Sequence, residues 1–166
     1  MKLPAPTERL AFRAWRDDDL PFARALFGDP RVTALVGGPF DDAAVAARLT
    51  AEIAMGREHA IQYWPIVARG DGTPLGCCGL RPRAATIHEL GFYLLPTHWG
   101  HGYAVEAARA VIAHAFDVLG VTELFGGHHP DNHASAAVLR RLGFTYTHRE
   151  VYPPTGLSHP GYKLPR

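Results

Sequence analysis

The sequence predicts a mixed α/β domain, and three observations predict it. Strand-like and helix-like patterns alternate along the chain in the order β, α, α, β, β, β, α, β, α, β, β, which is the rhythm of a sheet covered by helices. Val105, Ala108, Ile112, Ala115, Phe116 and Leu119 form one apolar stripe on a helix from about Ala104 to Leu119. That helix lies between two strands, so the pair it joins should run parallel, with a ligand site at their carboxyl ends. Finally, 166 residues with 47% hydrophobic and 20% charged content suit a single domain over residues 1–166 and exclude general disorder.

Each element has its own signal. Leu10 and Phe12 alternate with Arg9, Ala11 and Arg13 as in a half-buried strand. Asp17, Asp18 and Asp19 offer N-caps for a helix through Leu20, Ala23, Leu26 and Phe27 that ends near Gly28-Asp29-Pro30. Asp41 or Asp42 can cap a second helix carrying Val45, Leu49 and Ile53, with Gly56 as terminator. A three-strand meander follows over Ile61 to Arg69, Leu75 to Leu80 and Thr86 to Leu95, its first turn at Gly70-Asp71-Gly72. After the long helix come a strand from Val121 to Gly127, a helix from Ala134 to Leu142 closed by Gly143, a strand from Phe144 to Tyr152, and one more toward Lys163.

Composition removes several classes of function. Seventeen Lys and Arg against sixteen Asp and Glu give a net charge of +1, so no global field draws the chain to nucleic acid or an anionic membrane. The two cysteines, Cys77 and Cys78, are adjacent and suit neither a structural disulfide nor a zinc site. They read as small core residues of a strand. No apolar run approaches the roughly 20 residues that span a bilayer, and the N-terminus lacks a signal-peptide core, so a reducing cytoplasm is the expected location. Ten histidines, among them His98, His101, His128, His129 and His133, raise a metal hypothesis, but none forms the spaced pair of a metalloprotease, so no metal is expected.

The most informative segment runs from Glu89 through Trp99-Gly100-His101-Gly102-Tyr103-Ala104, a strand, a glycine turn and a helix start. Glycines 100 and 102 let successive backbone N–H groups converge on an anion, and the helix adds the positive end of its dipole. A diphosphate is the natural guest. No Lys-Ser/Thr follows, as a Walker loop requires, and the glycine spacing is not that of a dinucleotide fingerprint. The bland alternative is a tight β-to-α connection. About 30 residues later, the length of one strand-helix-strand step, a second motif holds Asn132, Ser135 and Leu142-Gly143-Phe144.

The pairing of these two motifs resembles the GNAT superfamily of acyl-CoA-dependent N-acetyltransferases. Thr7-Glu8-Arg9-Leu10, Arg13-x-Trp15, Asp29-Pro30 and Gly37-Gly38-Pro39 look like the branch that contains the RimJ and RimL ribosomal-protein N-terminal acetyltransferases. The resemblance implies a central, mostly antiparallel sheet splayed at the cofactor site between flanking helices. It implies acetyl-CoA as cosubstrate, with Trp99, Gly100, His101, Gly102, Tyr103 and Ala104 around the pyrophosphate and Asn132 in contact with the cofactor. Leu94 and Leu95 would bond the pantetheine through their backbone, and the Leu94 N–H would hold the thioester oxygen.

By the same resemblance Glu89 takes the proton of the attacking amine, directly or through water, and Ser135 protonates the leaving thiolate. Many superfamily members carry a tyrosine seven residues after the position of Asn132, where this chain has Leu139. Each assignment has a structural rival: Glu89 as a solvated or ion-paired strand residue, Asn132 or Asp131 as a helix cap, Ser135 as an ordinary first-turn residue. Trp15, Trp64, Tyr63 and Phe40 either line an acceptor pocket or fill the core. The acceptor expected is a primary amine, either a protein N-terminus or a small molecule, and a homodimer is left open. The rivals are a catalytically silent acyl-CoA-binding sensor or scaffold and, last, a metal-dependent hydrolase.

Overall fold

The computed structural model describes residues 2–166. Seven strands form one mixed sheet in the order β1-β2-β3-β4-β5-β7-β6: β1 (Leu10–Phe12), β2 (Tyr63–Ala68), β3 (Pro74–Ala84), β4 (Ile87–Leu94), β5 (Glu123–Gly127), β6 (Thr145–Tyr152) and β7 (Leu157–Pro165). Only β4 and β5 pair in parallel, and every other neighbouring pair is antiparallel. The helices are α1 (Leu20–Phe27), α2 (Pro30–Thr33), α3 (Asp42–His59), α4 (Tyr103–Asp117) and α5 (His133–Arg141).

The sheet divides two cores. Leu10, Trp64, Cys78, Leu80 and Leu90 pack under α4 and α5 on one face, while Trp15, Tyr63 and Cys77 meet α1 and α3 on the other. Successive side chains of a strand leave opposite faces, so the adjacent cysteines lie in different cores and both are free. Burial pushes both thiols well up, which leaves neither poised as a nucleophile.

Several boundaries differ from the sequence expectation for local reasons. The aspartates before α1 form a 3-10 turn, and the Asp19 carboxylate binds the Arg13 guanidinium at 2.6 and 2.7 Å and the Arg16 amide at 2.8 Å instead of capping α1. Asp41 does cap α3, accepting from the Ala44 amide at 2.8 Å. Gly56 does not end α3: it shares the buried stripe with Val45, Leu49, Glu52 and Ile53, and the helix stops at Ala60 in the left-handed region (φ +58°). The fully buried face of α4 is Ala107, Ala108, Val111 and Ala115, with Ile112, Phe116 and Leu119 packed at its margin. Strand β3 runs past Leu80 through Arg81, Pro82 and Arg83, because Arg81 and Pro82 still pair with Glu89 and His88. Charge and proline hid that extension.

One buried polar knot ties α3 to the meander. Glu52 is fully buried, accepts from the Tyr63 amide at 2.9 Å and pairs closely with Arg81. Removing one partner of a buried pair strands the other charge. Glu52→Ala should therefore lower unfolding free energy by about 3–5 kcal/mol, read from the midpoint of urea denaturation.

Candidate active site

The site begins where the parallel pairing of the sheet stops. Strands β4 and β5 pair only at Ile87 with Glu123, His88 with Leu124 and Glu89 with Phe125. Strand β4 continues to Leu94 and β5 to Gly127, now apart. On the other side of β4 the Leu95 amide donates to the Leu75 carbonyl at 2.9 Å. Backbone groups in an antiparallel ladder alternate in direction, so the β4 register turns the N–H and C=O groups of Phe92 and Leu94, beyond the last β5 pair, toward the opening.

In this register the Leu94 N–H faces the opening and the Leu95 N–H does not. The Leu95 N–H is taken by Leu75 and its carbonyl accepts from His98 at 2.9 Å, so its backbone has nothing left for a pantetheine. The Leu94 carbonyl accepts from the Trp99 indole Nε1 at 2.9 Å, while its N–H faces the gap. Phe92, which the sequence reading missed, is the second residue with outward backbone groups; only the strand register reveals it.

Gly100 and Gly102 both sit at φ +79°, a conformation that disfavours any side chain. A Cβ at Gly100 would meet no atom within 4 Å, so backbone angle and not space requires the glycine. Gly102 is the N-cap of α4, with no side chain capping it. Among the described residues no partner is found for the amides from Gly100 to Ala104. The 15-residue helix adds its positive end at that point. His101 turns its Nδ1 to the Trp99 carbonyl at 2.8 Å and stacks on Tyr103 at 5.7 Å, so its ring supports the turn and does not line the cavity.

Across the opening, α5 carries the second motif. The Asn132 Oδ1 accepts from the Ser135 amide at 3.0 Å, so Asn132 and not Asp131 is the cap. Its Nδ2 group remains for a ligand. Ser135 and Leu139 both line the cavity, Leu139 as a core residue that is 2% exposed. Trp15 and Trp64 are core residues as well, while Tyr63 is buried at the cavity wall.

The far wall is charged. Arg83 binds Glu150 at 2.9 and 2.8 Å, approaches Glu89 at 3.3 Å and lies 3.7 Å over the Phe125 ring. Glu89 is thus ion-paired, and it also faces the cavity. Burial pushes the Glu89 carboxyl above its ordinary value; Arg83 opposes this, and the neighbouring Glu150 charge adds to it. Arg83 holds Glu150 below its ordinary value. Neither Arg83 nor Glu150 stood out in the sequence, because the extension of β3 and the β6–β7 hairpin bring them here.

A cavity of about 760 Å³ gathers Glu89, Leu94, Trp99, Gly100, Gly102, Tyr103, Ala104, Asn132 and Ser135, and excludes Leu95 and His101. Among the described residues no cluster of three or more His, Cys, Asp or Glu side chains could hold a metal. No helix there is long and apolar enough to cross a membrane.

Comparison with known proteins adds independent findings. The family described as an acetyltransferase (GNAT) domain matches residues 9–145. YoaA of Bacillus subtilis, an uncharacterized N-acetyltransferase, is 28% identical over 142 residues, covering 83% of this chain and 80% of that protein. An acetyltransferase structure from Agrobacterium tumefaciens superposes with a TM-score of 0.85 at 29% identity, covering 100% of this chain and 96% of that one. RimL, a ribosomal α-N-protein acetyltransferase solved with coenzyme A, shares the fold with a TM-score of 0.84 at 15% identity, over 99% of this chain and 98% of that one.

The glycine turn yields a stability test. Gly100→Ala should cost about 1–2 kcal/mol through its left-handed backbone alone, seen as a lower thermal midpoint with no clash to relieve.

Proposed function

The chain belongs to the acetyltransferase (GNAT) domain family and is an acetyl-CoA-dependent N-acetyltransferase, and from that premise we propose that it acetylates a protein N-terminus or a small primary amine by direct attack. The observation that carries the cofactor assignment is the run of unpartnered amides from Gly100 to Ala104 beside the open edge of β4. These donors and the start of α4 suit a pyrophosphate. The outward groups of Phe92 suit the amides of a pantetheine laid along the strand, which leaves the Leu94 N–H for the thioester oxygen. Asn132 Nδ2 adds a side-chain donor. Two free, buried thiols accord with a reducing cytoplasm.

Bound acetyl-CoA supplies the thioester carbonyl as electrophile. An ammonium has no lone pair, so the acceptor must first lose a proton, and Glu89 is the group that takes it. Its raised proton affinity brings it nearer to an α-amino group, whose unperturbed pKa is about 7.7–8.0, than to a lysine near 10.4. The N–H of Leu94 donates to the oxygen on which negative charge develops, without reorganising. The Ser135 hydroxyl donates to the departing sulfur. A thiol near pKa 8.5 leaves tolerably without help, so Ser135 assists and is not indispensable.

The sensor reading draws on Leu139, an apolar side chain at the cavity wall where many superfamily members have a tyrosine hydroxyl. Turnover separates the two. In a thiol-release assay over small amines and N-terminal peptides, Glu89→Gln should lower kcat about 10²-fold and Ser135→Ala less than that, with coenzyme A affinity retained in calorimetry. Cofactor binding without acetylation of any amine would leave the sensor.

The pH dependence follows from the same group. The carboxylate is the active form, so kcat/KM should fall as pH drops through a pKa above the ordinary carboxylate range. Glu89→Gln should lose that contribution to the acid limb.

A further inference from the structure

Strand β7 brings to the cavity a group that the mechanism above leaves idle, His159. The ring is 6% exposed and lines the same cavity as Glu89. Its Nε2 lies 3.0 Å from Thr155 Oγ1. We assign the one hydroxyl hydrogen of Thr155 to the Tyr152 carbonyl at 3.3 Å, and the Leu157 amide donates to Thr155 Oγ1 at 3.4 Å. With that assignment Thr155 Oγ1 accepts from the imidazole, so Nε2 carries the ring hydrogen and Nδ1 keeps its lone pair.

Nδ1 has no partner among the described residues, yet it is not one of the sealed, unpaired buried atoms. The ring it belongs to lines the cavity. The ring is fixed by stacking on Tyr152 at 4.8 Å and by the edge of His129 at 5.4 Å. The charged or titratable groups around it are His128 and His129 from the segment after β5, Arg149 and Glu150 on β6, and Tyr152. Burial pushes the imidazole below its ordinary value, the two histidines and Arg149 add to this, and Glu150 opposes it. The ring is neutral at the pH where an amine attacks, with its basic nitrogen free.

We propose that His159 is a second proton acceptor for the acceptor amine, acting through Nδ1 while Thr155 is the positioning residue that fixes its tautomer. The proposal rests on the acetyl-transfer reading. An N–H bond of the acceptor ammonium breaks, an N–H bond forms at Nδ1, and the imidazolium returns the proton to water. Glu89 already shares its carboxylate with Arg83, so a neutral acceptor on β7 serves the ammonium without breaking that pair.

The test measures thiol release from acetyl-CoA with two probe acceptors, spermidine and a peptide with a free N-terminal alanine, across pH 5–9. His159→Gln should lower kcat about tenfold or more. Glu89→Gln should keep an acid limb in the imidazole range that the double variant lacks. Added imidazole should restore part of the kcat of His159→Ala and leave the wild type unchanged. Thr155→Val should lower kcat and displace the limb while KM for acetyl-CoA stays the same. Unchanged kcat and pH profile in His159→Gln and Thr155→Val, with Glu89→Gln still slow, would overturn the proposal and leave acetyl transfer intact. No turnover by the wild type with either probe would remove both. Should the His159 variants lose coenzyme A binding through misfolding, Thr155→Val decides alone.

Discussion

The site depends on one interruption, the loss of pairing between β4 and β5 after Glu89 and Phe125. A sheet normally consumes its own backbone donors and acceptors, and an unpaired buried amide is costly. Here the structure withholds pairing along Phe92 to Leu94 and keeps the gap from closing. Strand β5 is held on its far side, where Gly126 and Gly127 face Tyr162 and Gly161 of β7. Leu139 of α5 presses on Gly126, where a Cβ would come within 2.7 Å of it. The Trp99 indole then ties the glycine turn to the Leu94 carbonyl, so the turn and the open strand edge are held as one unit.

The second constraint is electrostatic. Two carboxylates face one cavity, and a single guanidinium lies between them on an aromatic ring. Arg83 gives Glu150 a two-pronged contact and Glu89 a longer, single one. Burial pushes Glu89 up against the pull of Arg83, while the Arg83 contact holds Glu150 down. Divergent neighbours of this kind are how one site keeps one acid as a fixed charge and leaves another ready to exchange a proton.

Much of this was legible in the residue order. Periodicity located nearly every strand and long helix, because an apolar stripe is a local consequence of burying one face. The glycine turn and the Asn132–Ser135 motif were legible for another reason: a left-handed backbone and a helix cap restrict residue type at their own positions. Errors fell where a distant partner decided the outcome. Asp19 left its expected cap for Arg13, Gly56 served packing instead of termination, and Leu95 spent its amide on Leu75.

The sequence by itself determined the α/β class, the parallel step across the long helix and the glycine turn before it, since each is written in contacts a few residues long. Tertiary structure alone decided which backbone groups stay unpaired, that β7 inserts between β5 and β6, that Glu150 and His159 meet Glu89 around one cavity, and that Arg83 binds both carboxylates. Strand register and sheet order arise from pairings between residues far apart in the chain, and no local pattern encodes them.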